Sequence, residues 1–180
     1  NPFAGNLIDQ IAFGVDQRSQ TQAREIDLNP RYYTSAGTGF AAAEFPTAKG
    51  AGKNADFTFS GSQWLPEAKW AGSKEFDAED FKRNNTHPQY HAMQAYAALL
   101  VAAQAMNKAK STDPAKIRDA IKNLNLTSTP FGPIKFDAGG QNQHPVLITQ
   151  VQDGQYKVVF PAEVSQAKPI IPAPAWSKRP

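Results

Sequence analysis

Residues His87 to Asn107 read HPQYHAMQAYAALLVAAQAMN. No charged residue lies between His91 and Lys108. Alanine, leucine and methionine dominate, and all three are strong helix formers. Small and apolar residues occupy every helical face, and a helix of that kind must be buried on most sides. Gln94, Gln104 and Asn107 break the run, which is too short for a bilayer needing about 20 mainly apolar residues. The stretch therefore predicts the central packed helix of an α/β layer. Pro88 is placed in its first turn, where a missing N–H costs nothing.

Downstream, Asp113-Pro114 predicts a second helix. Asp113 is the cap and Pro114 the first helical residue, with Ile117, Ala120, Ile121 and Leu124 at helical spacing. Thr129 to Asp137 (TPFGPIKFD) reads as a turn and a strand, broken by Gly139-Gly140. Val146–Gln152 and Tyr156–Phe160 are two strands joined at Asp153-Gly154-Gln155, and Asp-Gly between alternating apolar runs is a strong hairpin signal. Proline recurs from Pro161 to Pro180, so the tail reads as extended, on a surface or free.

Upstream, Asp77–Asn85 is a short charged helix and Trp64–Lys74 an irregular crossing segment. Phe57 and Phe59 alternate in Asp56–Ser60, a strand pattern. Phe40–Lys49 is rich in alanine and predicts a short helix interrupted by Pro46. Gly37-Thr38-Gly39 is a glycine loop, and Arg31–Ser35 is a β-prone strand after the Asn29-Pro30 turn. Asp16–Ile26 reads as a surface helix capped by Asp16, and Asn6–Phe13 as a strand ending at Gly14. Strand, helix, strand, helix, strand is the signature of a parallel, doubly wound sheet.

The chain has 180 residues, 19% of them charged, a net charge of +3 and no cysteine. That is globular composition, and it removes thiolate catalysis and cysteine zinc sites. The basic residues are scattered, which gives nucleic-acid binding no support. The start, Asn1-Pro2-Phe3-Ala4-Gly5, has neither a methionine nor an apolar leader and reads like the middle of a longer protein.

From about Asn6 to Trp176 the chain resembles the C-terminal half of a type 1 periplasmic solute-binding protein, the receptor of ABC importers for branched-chain amino acids and related molecules. The matching stretches are Gln22-Ala23-Arg24 running into Leu28-Asn29-Pro30, Ser62-Gln63-Trp64, and Tyr90-His91-Ala92 leading to Tyr96-Ala97-Ala98. They continue with Ser111-Thr112-Asp113-Pro114 and Lys116–Ala120. Most telling is Thr129-Pro130-Phe131-Gly132-Pro133-Ile134-Lys135-Phe136-Asp137 through Gly140-Gln141-Asn142. The resemblance implies Rossmann-like α/β lobes joined by crossings, with a small molecule bound by hinge closure. It assigns residues 1–72 to the second lobe, 73–142 to the first lobe, 143–162 to a second-lobe hairpin and 163–180 to a tail. It implies a periplasmic location, no catalysis and no cofactor. Its partners are the importer's membrane subunits and a missing N-terminal half.

The resemblance also places site residues. In amino-acid receptors of this family an acidic residue after the second strand holds the ligand ammonium, and its place falls on Ala36, beside Gly37. An ammonium buried without a carboxylate is costly, so a carboxylic acid without an amine, such as an aromatic acid, becomes the expected ligand. Phe13 matches an aromatic that lines the cleft; a phenylalanine closing the core is the alternative. Tyr90 and His91 match the place where an aromatic of the first lobe faces the ligand; local packing is the alternative. His87 and His91 are four apart, but Pro88 separates their faces and no HExxH motif exists, so no metal is expected. Two other functions stay open: a ligand-sensing regulatory domain of the same fold, and a small hydrolase or metal enzyme, for which no triad or carboxylate pair is present.

Overall fold

A computed structural model describes residues 13–35 and 40–179. The chain forms two compact units. One is built from the chain up to Ser62 and from Val146 onward; the other is Gln63–Pro145.

The first unit opens with α1 (Phe13–Glu25), followed by β1 (Tyr33–Ser35) and β2 (Thr58–Ser62). The expected strand over residues 6–13 lies outside the described residues except at Phe13, and Phe13 is helical. Gly14 is therefore an internal residue of α1, and Asp16 lies inside the first turn instead of capping it. No α-helix forms over 40–49. Pro46 cannot donate a backbone hydrogen bond, and the chain closes short turns instead, Phe45 N–H to Ala42 O and Thr47 N–H to Glu44 O. This folds Phe40 onto Phe45, rings 4.7 Å apart, in the unit's core. Burial of two aromatics outweighs alanine propensity here.

β1 and β2 are parallel, with Tyr33 opposite Thr58 and Ser35 opposite Ser60. The sheet continues after the second unit with β5 (Leu147–Gln152) and β6 (Gln155–Phe160), both antiparallel, in the order β1-β2-β5-β6. The expected parallel pairing thus holds for β1 and β2, and the hairpin extends the sheet. Asp153 (φ 54°) and Gly154 (φ 71°) both take the left-handed conformation that a tight two-residue hairpin needs. The tail does not hang free. The Trp176 indole donates to Leu28 O, Ala173 N–H to Arg31 O, and Gln150 exchanges two bonds with the Ile170 backbone.

The second unit carries α2 (Ser73–Asn84), α3 (Tyr90–Ala109) and α4 (Pro114–Lys122), with a ribbon of β3 (Asn125–Leu126) and β4 (Ile134–Lys135). α3 is the expected long helix, shifted: Gln89 is its cap in extended backbone, so Pro88 precedes the helix instead of lying in its first turn. α4 begins as its sequence dictates, with Lys116 N–H donating to Asp113 Oδ1 at 3.0 Å and Pro114 in the first turn. Its core gathers Trp64, Met93, Ala97, Phe131 and Ile134. α3 is not buried on most sides. Met93, Ala97 and Ala105 face the core, while Leu99 is 72% exposed and Tyr96 and Met106 are 42% exposed.

Gly132 fixes the loop before β4. Its φ is +92°, and a Cβ there would lie 2.9 Å from Cε2 of Trp70. Gly132→Ala combines left-handed strain with a ring clash, and is expected to cost about 1–3 kcal/mol. Thermal unfolding compared with the parent chain measures it.

Candidate functional site

In the first unit the topology selects one edge. Open α/β sheets bind ligands beyond the carboxyl ends of parallel strands. In the β1–β2 pair that edge is reached at Ser35, opposite Ser60. At the opposite, amino edge, Arg24 Nη1 donates to Asn54 Oδ1 at 2.9 Å and Asn54 Nδ2 to Thr21 Oγ1 at 3.3 Å. These bonds tie the C-terminal half of α1 to the entry of β2. Ala36 and Gly37 lie outside the described residues. Phe13 is a helix start, not a strand end.

β2 carries small hydroxyl residues on one of its faces. Thr58, Ser60 and Ser62 are all buried, and Thr149 Oγ1 donates to Ser60 O at 3.2 Å. The buried Gln20 Nε2 on α1 and the Thr58 Oγ1 have no protein partner. Buried polar groups of this kind are normally satisfied by a partner or by ordered water, so the layer under α1 is polar as well as apolar.

In the second unit Tyr90 and His91 do come together. They are the first residues of α3, and their rings lie 3.9 Å apart, tilted by 30°. Partial burial pushes the Tyr90 phenol up, so it stays neutral and able to donate at ordinary pH. His87 is occupied elsewhere: Nδ1 lies 2.9 Å from Asp77 Oδ1, and its ring stacks on Phe81 at 4.6 Å. No group of histidine, aspartate or glutamate residues able to hold a metal is present among the described residues.

The same unit holds a groove of about 540 Å³ that neither Tyr90 nor His91 lines. α3 forms one wall with Ala97 and Val101, and Phe131 and Phe136 form the other. Its polar end is Gln63, bonded by the Gln94 amide, together with His144. The His144 ring stacks on Phe131 at 4.0 Å, meets the Trp70 edge at 5.0 Å, and its Nε2 contacts Phe131 O. Burial pulls its pKa down, which favours the neutral ring. The Gln63–Gln94 pair and the His144 stack have no sequence signal, because their partners are brought together only by the fold. These groups can hydrogen-bond and stack.

A family model described as periplasmic binding protein matches residues 17–155. A Leu/Ile/Val-binding protein homolog 7 from Brucella suis is 27% identical over 187 residues, covering 88% of this chain and 46% of its own length. A leucine-binding protein, LivK, from Thermotoga maritima superposes with a TM-score of 0.68 at 22% identity, over 81% of this chain and 41% of that one. A solute-binding protein of an ABC transporter from Rhodopseudomonas palustris, solved with 3,4-dihydroxybenzoic acid, gives a TM-score of 0.66 at 19% identity, over 93% and 45%. The chain thus spans about half the length of the curated relative it matches. No helix among the described residues is long and apolar enough to cross a membrane.

Proposed function

The chain belongs to the periplasmic binding protein family, and from that premise we propose that it is part of an extracytoplasmic receptor handing a small carboxylic acid to an ABC importer. The observation that carries this reading is the family match, which runs through both units. The fold, that of type 1 periplasmic binding proteins, agrees with it. The receptor is non-catalytic. It works by population shift: a solute making contacts available only in the closed receptor moves the equilibrium toward that state, by no more than its differential affinity.

The ligand is an acid lacking an α-ammonium group, with an aromatic acid favoured. Two features support this. Alanine stands at position 36, where amino-acid receptors of the resembling family carry an acid, so an ammonium has no counter-charge there. The start of α3 offers a neutral phenol and a paired aromatic surface at Tyr90 and His91, suited to stacking on a ring and donating to an oxygen. One solved relative holds 3,4-dihydroxybenzoic acid, and another is named for leucine.

Calorimetry with 3,4-dihydroxybenzoate and with leucine, on this chain and on the complete product of its gene, tests the reading. The expected result is binding of the aromatic acid by the complete product and no binding of leucine. Tight leucine binding overturns the acid assignment. Ala36→Glu sets a carboxylate against the ligand's own and is expected to weaken the aromatic acid by about tenfold or more, a loss of about 1.4 kcal/mol.

A further inference from the structure

His144 is the last side chain but one of the second unit; Pro145 follows it, and β5 begins at Leu147. Its ring lies on the face of Phe131, 4.0 Å away and inclined by 22°, and the Trp70 ring meets it edge-on at 5.0 Å. Its Nε2 is against the Phe131 carbonyl oxygen. A carbonyl only accepts, so the neutral ring carries its proton on Nε2 and leaves a lone pair on Nδ1. That Nδ1 is buried and has no partner among the described residues. Close by, Lys135 N–H donates to Asn142 Oδ1 at 3.2 Å, and Phe136 pairs with Asn142 in a single bridge. Residues 142–145 are thus fastened to β4 and to the turn before it by one stacked ring and a few bonds.

A second proton falls on Nδ1 and makes the ring a cation at a site without a counter-charge. The groups that face it are uncharged: Trp70 from the segment before α2, Phe131 from the turn, and Gln63, Gln94 and Asn142 along the groove. α3 carries no acidic residue. The charged groups of the other elements around the ring, Glu67, Lys69, Lys135 and Asp137, are exposed. Asp137 accepts instead from the Gln141 N–H and the Gln143 amide. The Phe131 and Pro145 carbonyls favour the cation, and loss of water opposes it and is the larger effect. We propose that His144 is an acid-released clasp: its neutral ring fastens the segment leading out of the second unit to the turn before β4, and charging the ring lets that segment go. The folded ring takes up its proton below the ordinary value of 6.5. The clasp therefore holds in full above that pH, weakens as pH falls through the folded value, and changes no further below it. It requires no solute, so it goes beyond the receptor reading and stands or falls apart from it.

The test uses the complete product of the gene. Deuterium uptake at the imidazole C2 position, followed peptide by peptide by mass spectrometry from about pH 9 to about pH 4, titrates each histidine separately. His144 is expected to have its midpoint below 6.5, and a midpoint at or above that value overturns the proposal. Backbone amide exchange, corrected for the intrinsic effect of pH, reads the release through the Lys135 and Asp137 amides, which bond to Asn142 Oδ1 and Gln141 O. Between about pH 7 and about pH 5 their protection should fall at least about threefold in the unaltered protein. His144→Phe keeps a ring in the stack and cannot take a proton, so it should show no such fall. Where His144→Phe does not fold, His144→Gln, which keeps a donor for the Phe131 carbonyl, serves in its place. Unchanged protection in the unaltered protein overturns the proposal. An equal fall in the variant places the acid response elsewhere and overturns it too.

Discussion

Trp64→Ala is expected to destabilise the second unit by about 3–5 kcal/mol, the range for deleting a fully buried large aromatic. Trp64 is 1% exposed and lies in the core with Met93, Ala97, Phe131 and Ile134. Its ring meets the edge of Phe76 at 5.8 Å. Its indole N–H is shared between Ser73 Oγ at 2.6 Å and Pro130 O at 3.0 Å, and the Ser73 hydroxyl donates to the same carbonyl at 3.0 Å. One side chain thus joins the start of α2 to the turn before β4. Trp64→Phe keeps most of the ring and loses the donor, so its cost should fall to about 1–3 kcal/mol, that of a buried acceptor losing its partner. Urea unfolding gives the totals, and hydrogen exchange of α3 amides localises them. A Trp64→Phe variant as damaged as Trp64→Ala would mean that the hydrogen bonds, not the packing, hold the unit.

The second large effect is expected at the end of the chain. Arg179 stacks its guanidinium on Trp176 at 3.5 Å and reaches the Phe57 ring at 5.4 Å. It donates to Asn29 Oδ1 at 2.7 Å, Pro174 O at 3.0 Å and Asp56 O at 3.3 Å. Burial draws its pKa down to about 10, and the Asp56 charge pulls it back up. Trp176 is itself a core residue. Removing residues 176–180 should cost the first unit about 3–5 kcal/mol from the tryptophan alone. Arg179→Ala should cost about 2–3 kcal/mol, the sum expected for charge-assisted hydrogen bonds and a ring contact. Arg179→Lys should rescue little, because an ammonium cannot stack flat and donate in three fixed directions. Full rescue by lysine in a urea melt would reduce the role of Arg179 to its charge.

The parts legible in the sequence were those set by local chemistry. The Asp113-Pro114 cap, the Asp153-Gly154 turn and the uncharged run of α3 each carry their instruction within a few residues. The family resemblance was legible for the same reason, in short motifs kept in order. What failed was set by partners distant in the chain. Proline recurrence reads as an extended tail, on a surface or free, and is silent on Asn29, which Arg179 finds from 150 residues away. Alanine content reads as helix over 40–49, but Phe40 and Phe45 are claimed by a core shared with Tyr33 and Val151. The all-round apolar character of α3 calls for burial and is silent on which side this chain covers. For the site, Tyr90 and His91 are adjacent in sequence and in space, whereas His144 meets Phe131 and Trp70 only in the folded unit.

The two units meet the ribosome differently. Gln63–Pro145 is one unbroken stretch, so the contacts of α2, α3 and α4 become available as soon as it emerges. The first unit is split around it. β2 pairs with β5 across that inserted stretch, Phe59 meeting Gln150, and Arg179 reaches back 150 residues to Asn29. Long-range pairing of this kind is slow, and domains emerging earlier fold earlier. The first unit is therefore completed only after residues 176–179 have emerged, and a nascent chain stalled anywhere before Trp176 carries that unit unfinished.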